Sequence, residues 1–145
     1  MSDYNIRNAT EGDVNYFFES IQQTYNTKLD SVLFFERYKS LVKSKHSLIL
    51  VACNNLQNIV GSIICEKKYN LFDECGCILI KEFYISPKYR KLNIADKLYE
   101  MLEKKAASLY IYKLEVLCNT CATTTQNFYM RKKFKSEKKL YSKIF

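Results

Sequence analysis

Val14, Phe17, Phe18, Ile21 and Tyr25 fall at i, i+3, i+4, i+7 and i+11, which is one apolar face of a helix. Thr10 and Asp13 precede that face at the spacing of a capping box, and DYNIR at 3–7 alternates like a short strand. A less regular helical stretch from about Asp30 to Lys43 carries Leu33, Phe34, Tyr38, Leu41 and Val42. The pattern then changes from periodic to continuous. SLILVACN at 47–54 reads as a strand buried on both faces, and after the turn-rich NNLQN the run IVGSIICEKK at 59–68 completes a hairpin with it. A polar link, YNLFDE, leads to a third long strand, CGCILIKEFYI at 75–85, which Ser86-Pro87 must end because proline has no N–H for a ladder.

Ile94, Leu98, Met101, Leu102 and Leu109 form the core stripe of the next helix. IYKLEVLC at 111–118 predicts another strand, followed by a Thr-rich helical segment ending in NFYM. In the basic run RKKFKSEKKLYSK at 131–143, Phe134, Leu140 and Tyr141 suggest a final pair of strands carrying solvated lysines. The order β-α-α-β-β-β-α-β-α-β-β places the chain in the α/β (mixed α+β) class, a mixed sheet with helices on both faces.

The 145 residues suit a single domain spanning 1–145, with 48% apolar and 26% charged residues and no repeats or linkers. The first 30 residues lack a basic start followed by an apolar run, and runs such as LILVAC at 48–53 fall far short of a bilayer span. The expectation is a soluble cytoplasmic or nuclear protein without membrane association. Its six cysteines are then reduced thiols, Cys53 and Cys65 serving as small core residues. Cys75-x-Cys77 and Cys118-x-x-Cys121 offer four thiolates for a zinc site, but a CxC is not the usual knuckle and the single histidine, His46, stands beside neither pair, so no metal is expected.

A formal net charge of +8 biases the protein toward anionic partners: nucleic acid, an acidic protein or a phosphorylated small molecule. Phe134 and Tyr141 could stack on bases, yet the chain has no recognised nucleic-acid motif, and nucleic acid is not the favoured partner. Between the third strand and its helix, Arg90-Lys91-Leu92-Asn93-Ile94-Ala95 occupies the place where unpaired backbone N–H groups and the helix dipole make an anion site. Such loops normally use glycine. Here Asn93 is the best candidate for a left-handed residue, Ala95 is nearly as small as glycine, and Arg90 and Lys91 add charge suited to a polyphosphate.

A strand, then SPKYR, then R-x-x-N-x-A opening a helix resembles the Q/R-x-x-G-x-G/A signature of the GNAT superfamily, the acetyl-CoA-dependent N-acetyltransferases. LEV at 114–116 and NFYMRKKF at 127–134 also match, the latter resembling the FY-x-x-x-G-F segment. Asn93 and Lys133 stand where the family has glycine, and residues 119–126 do not align with the family's asparagine position. The resemblance implies the GNAT fold, a mostly antiparallel sheet of six to seven strands.

It also implies that acetyl-CoA is the co-substrate, with its pantetheine arm and acetyl carbonyl on the backbone of Phe83, Tyr84 and Ile85 and its pyrophosphate on residues 90–95. An amine acceptor would attack the thioester directly. Tyr129 matches the tyrosine that protonates the departing thiolate. Glu82, a carboxylate within an apolar strand, is the candidate base, with pairing to Lys81 or an exposed edge charge as its alternative role and Glu115 as runner-up.

For the acceptor, ECGCILIKEFYISPKYR at 74–90 most resembles glucosamine-6-phosphate N-acetyltransferases, which suggests a small phosphorylated amine. A protein N-terminal or lysine acetyltransferase, and a degenerate, non-catalytic binding module, remain open at this point. Family members often form homodimers, but no stretch here identifies an interface.

Overall fold

The computed structural model describes residues 3–72, 75–118 and 123–145. Five strands and four α-helices form among them: β1 (Asn5–Asn8), α1 (Val14–Tyr25), α2 (Ser31–Lys43), β2 (Ser47–Cys53), β3 (Ile59–Lys68), β4 (Cys77–Ile85), α3 (Ile94–Ser108), β5 (Leu114–Val116) and α4 (Thr123–Arg131). The strands lie in chain order in one sheet. The pairings from β1 to β4 are antiparallel, and β5 joins β4 in parallel after the α3 crossover.

Alternation along β2 assigns the two faces. Leu50 and Ala52 pack toward α3 with Ile63, Cys65, Ile78, Ile80, Leu98, Leu102 and Tyr129, whereas Ile49, Val51 and Cys53 pack toward α1 and α2 with Phe17 and Tyr38. The helices therefore cover both faces, as the order of elements requires. The expected capping box forms: the Thr10 N–H donates to Asp13 Oδ2 at 2.8 Å, and Arg7 grips the same carboxylate at 2.8 and 2.9 Å, tying β1 to the start of α1. No helix among the described residues is long and apolar enough to cross a membrane.

Two expectations are corrected. The last strand pair does not form, so the sheet has five strands among the described residues rather than six or seven. Phe134 alone of that run packs on the core, and every residue from 135 to 145 is exposed. The sequence KSEKKLYSKIF never sustains an apolar–polar alternation, and its lysines cannot be buried on a sheet face. The strand expected at 111–118 is confined to Leu114–Val116 because Ile111 is already committed, its N–H donating to Ala106 O at 2.9 Å to close the end of α3.

That closure belongs to a pattern. Helices α1, α3 and α4 each end on a left-handed residue that is not glycine: Asn26 at φ 46°, Tyr110 at φ 58° and Lys133 at φ 68°. At α4 the Lys133 N–H donates to Met130 O at 3.0 Å and the Phe134 N–H to Tyr129 O at 3.0 Å, while the Phe134 ring packs on Tyr129 with centroids 5.1 Å apart. The FY-x-x-x-K-F spacing thus encodes a Schellman cap, with Lys133 in the position glycine fills at least cost. Tyr110→Gly and Lys133→Gly should each raise stability by about 0.5–1 kcal/mol in urea denaturation, since both side chains are exposed and both backbones are left-handed. A loss of stability in both variants would contradict this account of the caps.

Candidate functional site

Strand β4 outruns its parallel neighbour. Its pairing with β5 consists of Ile78↔Leu114, Leu79↔Glu115 and Ile80↔Val116, but β4 continues to Ile85. Glu82–Ile85 therefore pairs with β3 on one side and, among the described residues, leaves its other backbone edge outside the sheet ladder. Unpaired strand edges are ready partners for another extended chain or an amide-bearing ligand.

A bulge decides what the splayed segment presents. Ile64 pairs with Glu82 and Cys65 with Ile80, so Lys81 has no partner on β3. The extra residue reverses the alternation of β4. Ile78 and Ile80 belong to the core beneath α3, and after the bulge Phe83 and Ile85 take that face, which turns Glu82 and Tyr84 toward α1. There the Tyr25 hydroxyl donates to Glu82 Oε1, and the Tyr84 hydroxyl donates to Gln23 Oε1 at 3.0 Å. The bond to Glu82, with partial burial, pushes the Tyr25 phenol up to about 12.

Glu82 is partly exposed rather than enclosed in the sheet, so the burial expected for it as a base is not what the structure provides. It does not pair with Lys81, whose Nζ lies 3.6 Å from Glu66 instead. Glu115, the other carboxylate weighed as a base, accepts from the Cys77 thiol at 2.9 Å and lies 3.6 Å from Lys138 and 3.8 Å from Lys68. The thiol bond and these lysines hold its carboxyl below the usual carboxylate range, which disfavours it as a base.

At the tip of β4, Gly61 pairs with Ile85, and a Cβ there would come within 2.7 Å of Ile85 Cδ1, so the glycine permits the close packing that ends the strand. Pro87–Tyr89 forms a single 3-10 turn, and Arg90 folds back, donating Nε–H to Ile85 O at 3.0 Å with its guanidinium 5.8 Å from the centre of the Tyr84 ring. Lys91 at φ 66° and Asn93 at φ 61° are both left-handed, flanking an exposed Leu92, and Ile94 is buried as the loop enters α3. Asn93 is thus the left-handed residue the sequence nominated; Lys91 was not foreseen as a second.

No side chain caps α3, in contrast to α2, where Asp30 accepts from Leu33 N at 2.8 Å. The first backbone bond of α3 runs from Lys97 N to Asn93 O at 3.1 Å, so the N–H groups of Ile94, Ala95 and Asp96 lack intrahelical partners, as a helix start requires. The splayed edge of β4 and this uncapped turn follow one another along the chain, an arrangement suited to a long ligand with an amide-rich arm and an anionic end.

Helix α4 packs two aromatics against the core beside β4. Phe128 meets Phe83 edge-on at 5.7 Å, and Tyr129 is buried beside it. Burial raises the Tyr129 phenol well above its ordinary value, reinforced by the neighbouring Cys118 and Cys65 thiols and Tyr99, so it keeps its proton at neutral pH. Sequence reasoning missed Tyr25, Gln23 and Phe128. Tyr25 was visible as the last residue of an apolar stripe, but periodicity cannot tell that its hydroxyl reaches the sheet.

Of the residues weighed for zinc, Cys77 is buried on Glu115, Cys75 is exposed, and Cys121 lies outside the described residues. No cluster of three or more metal-ligating side chains occurs among the described residues.

Residues 14–134 match the Acetyltransferase (GNAT) family. The chain belongs to the GNAT acetyltransferase family. Among solved structures, a transcriptional regulator from Bacillus halodurans C-125 superposes with a TM-score of 0.87 at 19% identity, covering 99% of this chain and 100% of that one. The aminoglycoside N-acetyltransferase AAC(6')-Iy in complex with CoA gives 0.84 at 11% identity, with 100% and 96% covered. Ribosomal-protein-alanine N-acetyltransferase from Brucella melitensis biovar Abortus 2308 gives 0.83 at 17%, with 98% and 99% covered. At these identities the likeness is one of fold. No curated protein sequence gives a match.

The GNAT backbone explains the demand on position 93. Asn93→Gly should keep the loop and leave stability unchanged or slightly raised, whereas the β-branched Asn93→Val should cost about 1–2 kcal/mol because its left-handed conformation is strained. Urea midpoints for the two variants check this, and equal midpoints would contradict it.

Proposed function

We propose that this GNAT protein is an acetyl-CoA-dependent N-acetyltransferase that passes an acetyl group by direct attack to a primary amine. The observation that carries the reading is the end of β4–β5 pairing at Ile80↔Val116 while β4 runs on to Ile85, directly ahead of the uncapped start of α3. Phe83, Tyr84 and Ile85 would pair the backbone edge that β5 does not cover, apart from Ile85 O, with the pantetheine arm and aim an N–H at the acetyl oxygen. Lys91–Ala95 would take the pyrophosphate on backbone N–H groups held by the left-handed Lys91 and Asn93. Arg90, already anchored to Ile85 O, would contribute charge at the mouth.

Acetyl-CoA supplies an activated thioester; the chain's residues supply orientation and two proton sites. Glu82, reached from α1 and held by Tyr25, would take a proton from the incoming ammonium, so that the amine nitrogen can bond to the acetyl carbon as the carbon–sulfur bond breaks. Tyr129 would give its proton to the departing thiolate, burial keeping that proton in place until then, and the second proton shed by the nitrogen as the amide forms would restore the phenol. Asn93 retains a left-handed backbone without glycine, which supports the loop as an anion site despite the missing glycine.

The acceptor face carries Glu82, Tyr25, Gln23 and Tyr84, a carboxylate with neutral hydrogen-bonding groups that suits a cationic amine. Within that class, the likeness of residues 74–90 makes a small phosphorylated amine such as glucosamine 6-phosphate the first acceptor to assay, although Glu74 lies outside the described residues. Aminoglycosides and N-terminal alanine peptides belong in the same panel because the superposing enzymes are named for them.

Release of CoA thiol, measured with each acceptor at saturating acetyl-CoA, tests the reading. Turnover with at least one amine is expected, and acetyl-CoA that binds without any acceptor-dependent release would overturn it. With the best acceptor, Tyr129→Phe and Glu82→Gln should each lower kcat by about 10²-fold or more while acetyl-CoA affinity stays near that of the wild type. Unchanged kcat in either variant removes that residue from its assigned role.

A further inference from the structure

The first turn of α3 contains a charge that ought to oppose its use as a phosphate site. Asp96 is the third residue of the helix, where a carboxylate favours the helix dipole but repels any anion brought to the same N–H groups. Lys132 answers it from the turn that ends α4, its Nζ lying 2.7 Å from Asp96 Oδ1. The lysine does not reach across as a loose surface cation. Its ammonium lies over the Tyr99 ring at 5.2 Å and the Phe128 ring at 5.6 Å, and the side chain is only 22% exposed. The backbone that presents it is fixed as well, because Lys132 N–H bonds to Phe128 O at 3.2 Å and the next residue, Lys133, forms the Schellman cap of α4.

We propose that Lys132 is a positioning residue of the co-substrate loop: by neutralising Asp96 it keeps the α3 N-terminus able to accept the diphosphate of acetyl-CoA, and it links that turn to the helix bearing Tyr129. This rests on the acetyl-CoA reading given above. Lys132 need not touch the co-substrate, since removing one negative charge within the first turn is enough to change the field at the N–H groups. The pair is partly shielded, so its influence is larger than that of an exposed ion pair and still sensitive to salt.

The test is calorimetric binding of CoA to the full chain and its variants at low and high ionic strength, with urea denaturation of each. Lys132→Met retains the stem packed on Tyr99 and Phe128 but removes the charge, and it should weaken CoA binding roughly five- to tenfold at low salt, with the difference shrinking near 1 M salt. Lys132→Arg should bind as the wild type does. The double variant Lys132→Met/Asp96→Asn should return to within about twofold of the wild type, because the charge needing compensation is gone. Unaltered affinity in Lys132→Met, or a double variant as weak as the single one, would overturn the proposal and leave Lys132 a packing residue. Absence of CoA binding by the wild type would instead overturn the acetyl-CoA reading, and this inference with it.

Discussion

One unpaired residue in the sheet, Lys81, organises the site. Without it, the alternation that buries Ile78 and Ile80 would continue, placing Glu82 and Tyr84 under α3 and turning Phe83 and Ile85 toward α1. The bulge exchanges those faces just beyond the point where β5 leaves the ladder. The end of β5 pairing at Ile80↔Val116, on the other side of β4, leaves the outer backbone edge off the ladder in the same segment whose carboxylate faces α1. The proposed co-substrate edge and the proposed acceptor face therefore fall in one segment, with the bulge re-aiming its side chains as bulges commonly do near sites.

The second constraint is the near absence of glycine. With three glycines in the whole chain, left-handed backbone must be carried by other residues, and the structure puts Asn, Tyr and Lys at helix ends and Lys91 and Asn93 in the loop before α3. Each costs about 1 kcal/mol relative to glycine, a tolerable sum only because the surrounding hydrogen bonds and aromatic packing fix the backbone around it. The Phe134–Tyr129 contact shows how: the aromatic pair that closes the α4 cap also seats the candidate acid in the core.

Much of this was legible in the sequence, for identifiable reasons. The hairpin strands at 47–53 and 59–68 announce themselves as short, largely apolar runs rich in Ile, Val and Leu, and Pro87 marks the end of β4. Asn93 was readable as left-handed because it is the residue of its loop that best tolerates that region. The bulge was not legible: ILIKEFYI is apolar on both sides of Lys81, so no alternation exists whose reversal could be seen. Nor could the apolar stripe of α1 reveal that Tyr25 ends it with a hydroxyl bonded to Glu82. At the C-terminus, aromatic residues among lysines suggested strands, yet Phe134 alone of that run docks on the core, and the exposed Lys138, 3.6 Å from Glu115 of β5, is too weak a tether to order a strand.

Hydrogen exchange of the protein with and without CoA tests the central claim most directly. If the free edge of β4 and the uncapped turn of α3 form one ligand channel, the amides of Phe83–Ile85 and of residues 91–96 should slow together on CoA addition, while β1 and β2 change little. CoA binding that protects other regions and leaves both of these segments exchanging at their free rates would contradict the account.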